Sequence, residues 1–410
     1  MINYIGNQNV KNNNGSLKKI LFFVPLILLF LVDFFSLNEG VFGYLDEVLA
    51  LIYALYCGLK IALIKNSVKY IKVIMLFLTM IIIGVIGNIF NNDVMLNMKY
   101  ILIDIFMFIK PYIFLMASIL FAKTNNYDFQ LKKIGFFSKL MIFLIFIFGI
   151  FHIVLNGFDF YYIWNKNRYS FTTSFCGTLA SYIIIFETLI LLSNEKNKFF
   201  WSFLAFISII ITTSGVGILS LFLFIIFFFI FPKYKLKWYH LGFVGILAII
   251  IGWNEISGYL LDSSTARSLM YINGFKCAMN YFPFGAGFAN YGGYGAAYNY
   301  SKLYYKFGYD TIWGLQPLTY GGPNFLFDTY YPMIIGQFGF IGTCIFIGFI
   351  AKNFVLLFKK KDYLTFSLLL MFMITGLGFN FSSPAICLQF FVAGLSYVSF
   401  DKRKIIVLND

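Results

Sequence analysis

Arginine is scarce beside lysine in this sequence, and its positions are the clearest indication of chemistry. Only three Arg occur in 410 residues, against 28 Lys. Arg403 lies in a Lys-rich tail, whereas Arg168 and Arg267 each lie in a long segment between apolar runs. A guanidinium is planar, permanently charged and able to bind phosphate or carboxylate through two parallel hydrogen bonds. The pair therefore predicts an anion site; loop salt bridges, for example with Asp159 and Asp262, are the alternative.

The residues around Arg267 have the pattern of a helix start. Segment 262–267 offers Asp, Ser and Thr side chains as N-caps and would place Arg267 in the first turn, where the positive end of the helix dipole also favours an anion. Apolar residues follow at helical spacing and predict a helix along a membrane surface: Leu269, Met270, Ile272 and Phe275. Residues 283–287, Pro-Phe-Gly-Ala-Gly, predict a turn whose backbone approaches a ligand, or an ordinary loop turn.

Tyrosines crowd the rest of this segment. They are Tyr291, Tyr294, Tyr298, Tyr300, Tyr304, Tyr305, Tyr309, Tyr320, Tyr330 and Tyr331, with Trp313 and several Gly between them. Aromatic faces beside hydroxyl groups suit carbohydrate rings, which present apolar CH patches next to hydroxyls. A membrane-interface belt uses the same residues, so tyrosine abundance leaves both interpretations open.

Further ionisable residues lie in or beside apolar runs; Lys139 and Glu187 are near enough to the inside to be structural, and four others remain. Asp104 and Lys110 share one run, and Lys110 either faces an internal cavity or forms an ion pair with a neighbouring helix. Asp46 and Glu47 begin another run and could act as a base or bind a cation, although an acidic interface pair is the commoner arrangement. Both compete with Asp328, a loop residue, for the role of general base.

The composition identifies the elements that must position these groups. The chain is 60% hydrophobic and 12% charged, against roughly 25% charged in soluble domains, which excludes a soluble globular enzyme. Two His and five Cys form no CxxC or HExxH motif, so we predict no metal site and no cofactor. The net charge of +14 is distributed along the chain as membrane topology predicts, so we predict no nucleic-acid partner.

Apolar runs predict an all-α polytopic membrane protein with about twelve transmembrane helices in a single integral domain over residues 1–410. The spans begin near Ile20, Val48, Ile71, Ile101, Ile134, Cys176, Phe199, Gly215, Tyr239, Tyr330, Thr365 and Ala385. With a cytoplasmic N-terminus, the inside segments hold 22 of the 31 Lys and Arg, so both termini are predicted to be cytoplasmic. The two largest external loops, 156–175 and 254–325, then carry Arg168 and Arg267, which predicts outer-face chemistry.

The ordered motifs resemble those of the O-antigen ligase and polymerase family. They are Arg267, the 283–287 turn, Pro323-Asn324 with Asp328, and Gly336, Gly339 and Gly342 in the following span. Arg168 matches the second essential Arg in an earlier external loop that is typical of Wzy-type polymerases. Thr212-Thr213-Ser214-Gly215, between two spans, also resembles a family feature. Ligases usually have a His in the polar motif, and its absence here favours a polymerase.

The resemblance implies a GT-C-like, nucleotide-independent glycosyltransferase in the bacterial cytoplasmic (inner) membrane, with its active site facing the periplasm or exterior. It would join polyprenyl-diphosphate-linked repeat units into O-antigen or related surface polysaccharide. Its partners would be that lipid-linked oligosaccharide, membrane lipids, a chain-length regulator and a flippase. The alternatives are an O-antigen ligase acting on lipid A core and a lipid-linked oligosaccharide flippase.

Residue roles in the expected reaction follow from this resemblance and from charge. Arg168 and Arg267 would stabilise the departing diphosphate, and Asp328 would take the acceptor proton. The residues predicted to bind substrate are Tyr169, Tyr271, Lys276, Asn324, Tyr330 and Tyr331.

Overall fold

The computed structural model describes most of the chain. The described residues are 13–34, 43–64, 68–90, 97–125, 127–156, 167–173, 175–193, 197–231, 238–251, 253, 257, 262, 265–321, 324–378 and 382–409. Within these ranges the regular structure is helical, and they contain no β-strand. The all-α prediction is confirmed for this part of the chain.

Twelve apolar helices correspond in order to the twelve predicted apolar runs. They are α1 (Asn13–Phe34), α2 (Leu45–Leu63), α3 (Val68–Phe90), α4 (Met98–Thr124), α5 (Asp128–Leu155), α6 (Cys176–Leu192), α7 (Lys198–Ile211), α8 (Gly215–Phe224, continued by a π-helix over Ile225–Ile230) and α9 (Trp238–Ile251), and, after the large loop defined below, α13 (Tyr330–Lys360), α14 (Tyr363–Thr375) and α15 (Pro384–Asn409). Three predicted starts coincide with the first residues of observed helices: Cys176, Gly215 and Tyr330.

Length and apolar composition together separate four of these helices from the rest. Four described helices are long and apolar enough to cross a membrane: α3 from Tyr70, α4, α5 and α13. Others, such as α7 and α14, are apolar but have only 14 and 13 residues, fewer than the approximately 20 that a perpendicular span needs. Among the described residues, length and composition therefore identify four candidate spans and several shorter apolar helices.

The centre of the bundle is formed by α4, α6 and α15. All but two residues of α6 are buried, as expected for a helix enclosed on every side. Helix α15 lies so close to α4 that a Cβ atom on Gly394 would overlap Ser118 Oγ and approach the Leu115 carbonyl. Small residues at this crossing allow the two backbones to pack closely.

An ion pair joins α2 to α4 inside the bundle. Lys110 Nζ lies 2.5 Å from Asp46 Oδ2 and 3.3 Å from Glu47 Oε1, with the Lys110 and Asp46 side chains almost fully buried. Of the two arrangements considered for Lys110, the structure shows the ion pair with a neighbouring helix. Its partners are Asp46 and Glu47 of α2. A buried ammonium requires such partners because desolvation of an unpaired charge costs several kcal/mol.

The large loop between α9 and α13 folds as a small body of its own. From residue 265 it contains α10 (Ala266–Asn280), α11 (Tyr294–Asn299), α12 (Lys302–Lys306) and 3₁₀ turns at Tyr309–Thr311 and Leu318–Tyr320. These pieces enclose a separate apolar cluster that consists of Met270, Cys277, Ala286, Tyr291, Ala296, Ala297, Leu303, Tyr304, Tyr309, Leu315 and Leu326. Much of the loop is therefore a packed structure that can hold side chains in fixed positions.

Candidate functional site

Helix α10 begins where the sequence predicts it and carries Arg267 in its first turn. Thr265 is the N-cap: its backbone is extended, and its side chain accepts a hydrogen bond from Ser268 N. Capping by Thr satisfies one of the backbone N–H groups that a helix start leaves without an intrahelical partner. The helix dipole and the guanidinium consequently contribute positive potential at the same place.

Arg267 is held by an acidic and an aromatic side chain from the last part of the loop, just before α13. Its Nε donates to Asp328 Oδ2 at 3.0 Å, and Nη2 bonds the same oxygen. The guanidinium carbon lies 4.9 Å from the centroid of the Phe325 ring, a stacking arrangement typical of arginine. Both members of the ion pair remain about a quarter exposed, so a ligand can reach this part of the loop.

Burial and charge oppose each other at Asp328. Desolvation is the larger effect and raises the pKa of this carboxyl above its ordinary value, while the positive charge and hydrogen bonds of Arg267 lower it. The net result is a carboxylate that is more basic than an exposed aspartate. The structure thus brings together two of the three predicted catalytic residues.

The 283–287 turn packs against the backbone of α13. Ala286 N donates to Gly336 O at 2.8 Å and Gly287 N to Gln337 O at 3.0 Å, both in α13. Gly339 has φ +59° and interrupts the helical backbone of α13 beside Gly285. Positive φ at this residue and the lack of a Cβ allow the turn to fit into the break. The turn therefore docks the loop on the bundle through close approach to α13.

Asp104 anchors the next stretch of the loop to α4. It is 1% exposed, and its Oδ2 accepts hydrogen bonds from Ala289 N at 2.9 Å and Gln337 Nε2 at 2.8 Å. Its Oδ1 accepts one from Gly295 N at 2.6 Å. A buried carboxylate needs such donors. Sequence reasoning noted Asp104 as ionisable and missed this role, for which the one available signal is an acidic residue inside an apolar helix.

Asn88 of α3 provides a second anchor. Its Nδ2 donates to Phe288 O, and its Oδ1 accepts from Phe288 N, both at 2.8 Å. A side-chain amide paired in this way with one residue's backbone fixes that residue in the manner of a neighbouring strand. Together, Asn88 and Asp104 hold residues 288–295 against α3 and α4.

The loop tyrosines divide into buried and exposed groups. Tyr291, Tyr304 and Tyr309 are fully buried, and Tyr291 Oη lies 3.0 Å from Tyr309 Oη. Other aromatic residues expose more than half of their surface: Tyr298, Tyr305, Trp313 and Tyr320. The buried tyrosines build the loop's core, whereas the exposed ones present the aromatic surface that either sugar rings or a membrane interface could contact.

One aromatic contact connects the ion pair of the bundle with that of the loop. Tyr294 stacks on Phe327 with ring centroids 4.5 Å apart, and Phe327 precedes Asp328. Burial raises the pKa of Tyr294, and the positive charge of Lys110 opposes that rise. The two charged pairs therefore belong to adjoining parts of the same region.

Arg168 lies on the other predicted external loop, in the described segment 167–173. Its side chain is exposed, while neighbouring residues fix the segment to the bundle. Tyr169 is buried and donates to Ile145 O at 2.8 Å, and Thr172 donates to Phe34 O at 2.7 Å. Asp159, the predicted alternative partner of Arg168, lies outside the described residues.

The remaining predicted substrate-binding residues have different environments. Lys276 is exposed on α10. Asn324 is half-buried and bonds Gln316 O and Leu326 N within its own turn, whereas its predicted motif neighbour Pro323 lies outside the described residues. Their contacts with substrate stay predictions.

Three tyrosines of that prediction bond other parts of the bundle. Tyr271 Oη donates to Leu377 O at 3.0 Å, and Tyr331 Oη donates to Met373 O at 2.5 Å. Tyr330 Oη lies 3.2 Å from Tyr112 Oη. These hydroxyls tie the base of the loop and the start of α13 to neighbouring helices, and their role towards a substrate stays a prediction.

Across the part of the chain that the structure describes, no group of three or more His, Cys, Asp or Glu could hold a metal ion. Comparison of the chain with protein-family models, with curated proteins and with solved structures finds no match. The site is therefore interpreted from its own geometry.

Proposed function

We propose that this chain is a membrane glycosyltransferase of the polysaccharide-polymerase type. It joins oligosaccharide repeat units carried on polyprenyl diphosphate into O-antigen or a related surface polysaccharide. In this proposal the twelve apolar helices cross the bacterial cytoplasmic membrane in a GT-C-like arrangement, with both termini in the cytoplasm. The loops containing Arg168 and Arg267 then face the periplasm or exterior.

The observation that carries the proposal is the Arg267–Asp328 pair at the first turn of α10. A cation aided by a helix N-terminus, placed beside a carboxylate of raised pKa, supplies the two electrostatic functions that glycosyl transfer from a diphosphate requires. The Arg267 cation stabilises the negative charge that develops on the leaving group. The Asp328 carboxylate takes a proton from the acceptor hydroxyl. Exposed aromatic residues on the same loop provide surfaces for sugar rings.

The reaction proceeds by displacement at the anomeric carbon of the donor sugar. The acceptor hydroxyl oxygen forms the new bond to this carbon, the bond from the carbon to the diphosphate oxygen breaks, and the hydroxyl proton passes to Asp328. Arg267 and Arg168 stabilise the charge that accumulates on the departing polyprenyl diphosphate. The donor sugar arrives already activated by its diphosphate, so no nucleotide takes part.

The ion pair also couples donor binding to base strength. A diphosphate that draws Arg267 towards itself weakens the contact that lowers the Asp328 pKa. The carboxylate then becomes more basic when the donor is in place. The coupling reduces unproductive proton uptake by Asp328 before substrate arrives.

Glycan laddering tests the proposal in a bacterial strain that lacks its own polymerase and supplies matching repeat units. We expect the wild-type chain to restore a ladder of long glycans, and Arg168→Ala, Arg267→Ala and Asp328→Ala to leave mostly single units at equal membrane abundance. Loss of one transition-state donor typically reduces rate about a hundred- to a thousandfold. Lys302→Ala removes an exposed charge from the same loop and is expected to retain the ladder.

Two outcomes contradict the proposal. A wild-type chain that restores no ladder, although lipid-linked repeat units and the chain itself are present in the membrane, excludes the polymerase and leaves a ligase or flippase. A ladder unchanged by Arg267→Ala and Asp328→Ala shows that polymerisation does not use this site.

A further inference from the structure

A large apolar cavity lies among α3, α4, α13, α14 and α15, and two of its lining residues, Tyr112 and Met373, hydrogen-bond Tyr330 and Tyr331 at the start of α13. Its volume is about 360 Å³, within the approximately 300–1,000 Å³ range of small-molecule pockets. The walls are mostly aliphatic and aromatic side chains, among them Phe77, Ile119, Phe349 and Phe390. An occupant of this space must be largely hydrocarbon.

The cavity has a basic end. Lys123 and Lys360 both line it, and they lie in the last turns of α4 and α13. Lys123 Nζ donates to Tyr70 Oη at 3.1 Å, and Lys360 Nζ donates to Tyr397 Oη at 3.0 Å. Lys123 is exposed and Lys360 is half-buried. The two ammonium groups therefore lie where the apolar cavity reaches the surface of the bundle.

The depth of the cavity corresponds to one leaflet of a bilayer. Tyr112, another lining residue, lies midway along α4, eleven residues from Lys123. At 1.5 Å per residue this separation is about 16 Å, or roughly half of the ~30 Å hydrocarbon core. A hydrocarbon chain that starts at the lysines would thus end near the middle of the membrane.

We infer that this cavity binds an anionic glycerophospholipid, with one acyl chain inside and its phosphate at Lys123 and Lys360. Charge favours this lipid over a neutral one, because each basic residue near a membrane surface attracts anionic lipid. A lipid whose diphosphate lies at the opposite face would leave these two lysines without an anionic partner. With both termini in the cytoplasm, the site belongs to the cytoplasmic leaflet. This leaflet assignment rests on the topology of the proposed function, whereas lipid binding at the two lysines does not require the polymerase reaction.

Photocrosslinking tests the site on the purified full-length chain in lipid nanodiscs. The probe is phosphatidylglycerol with a diazirine at the end of one acyl chain, competed with unlabelled phosphatidylglycerol, phosphatidylcholine or polyprenyl phosphate. We expect labelled peptides around Tyr112 and Phe349 and preferential competition by phosphatidylglycerol. Removal of each lysine should weaken binding about fivefold, so Lys123→Gln with Lys360→Gln should weaken it about 25-fold.

Two variants separate the lipid site from general effects on folding. Lys359→Gln removes an exposed charge next to Lys360 that does not line the cavity and should leave labelling unchanged. Met116→Trp fills the cavity with an apolar side chain while keeping both lysines, and should abolish labelling at Tyr112. Gln at positions 123 and 360 can still donate to the tyrosine hydroxyls, which preserves the local packing.

Three results would overturn the inference. Equal labelling of wild type and the double lysine variant would exclude the phosphate site. Equal competition by phosphatidylcholine would show that the cavity takes hydrocarbon regardless of charge. Stronger competition by polyprenyl phosphate than by phosphatidylglycerol would identify the occupant as an isoprenoid lipid.

Discussion

Replacement of Asp104 by Asn tests whether one buried carboxylate holds the large loop on the bundle. The substitution preserves shape but replaces one acceptor oxygen with an NH₂ group. Oδ2 accepts two of the three described hydrogen bonds and Oδ1 accepts the third, from Gly295 N. In the Asn variant, the amide oxygen can still accept the hydrogen bonds from Ala289 N and Gln337 Nε2. The amide NH₂ group then faces Gly295 N, so two donors oppose each other and that hydrogen bond is lost. We expect the loop segment 286–295 to open more readily.

The magnitude follows from the number of bonds lost. A hydrogen bond to a charged group contributes about 1.5–3 kcal/mol, and the two bonds that Asn keeps become neutral and weaker. The free energy of loop opening should therefore fall by about 3 kcal/mol. Asp104→Ala would leave three donors without this acceptor and cost about 5–9 kcal/mol, comparable with the net stability of a domain. Asn is consequently the informative replacement.

Hydrogen–deuterium exchange of the purified chain measures this opening directly. A decrease of about 3 kcal/mol corresponds to amide exchange roughly a hundredfold faster in peptides covering 286–295. Glu187→Gln is the matched control, because Glu187 is also a buried acid in a helix and pairs with Ser202 of α7. The control should leave exchange of the loop unchanged.

A double-mutant cycle with Gln337→Met sharpens the test. Gln337 Nε2 bonds both Asp104 and the Tyr291 carbonyl, so the two substitutions should couple by about 0.5–3 kcal/mol. Additive effects, or exchange in 286–295 that is unaffected by Asp104→Asn, would refute the anchoring role. Faster exchange throughout the chain would also refute it, because the loss would then be global.

Other contacts give three further outcomes. Asp328→Asn should remove the acid limb of the pH–rate profile. Arg267→Gln should shift the acid limb of the residual rate to higher pH, because Arg267 lowers the Asp328 pKa that burial raises. An unshifted limb would contradict this assignment. Lys110→Met should cost about 3–5 kcal/mol by stranding the acids of α2, and an unchanged thermal midpoint would argue against it. Gly339→Ala should lower the thermal midpoint because φ is +59° and the loop backbone leaves no space for a Cβ, unlike Gly348→Ala; equal midpoints would exclude this constraint.

Local patterns in the sequence predicted local structure well. The polar run before Arg267 predicted the start of α10, and Thr265 caps that helix. The 283–287 stretch predicted a turn, and Gly285 and Gly287 both have positive φ. Such features depend on a few neighbouring residues, so they can be read from spacing alone.

Long-range partners were not accessible in the same way. The turn at 283–287 suggests close backbone approach, but its partner is the break at Gly339 of α13. The sequence around Asp104 does not indicate its partners, because its donors come from residues 185 to 233 positions later. A single sequence has no local signal that selects these partners. For Lys110, burial of the charge favoured an acidic partner. Of the two interpretations offered, a cavity or an ion pair with a neighbouring helix, the ion pair is observed.

The position of Asp104 also has a consequence for biosynthesis. Its donors at Ala289 and Gln337 follow it by 185 and 233 residues, which a ribosome making about 5–20 residues per second supplies after about 10–50 s. Lys110 on the same helix pairs with Asp46, which is already synthesised. Helix α4 therefore leaves the ribosome with its lysine ready to pair and its aspartate awaiting partners. Nascent chains stalled before Ala289 should consequently hold α4 less firmly than chains released after Gln337.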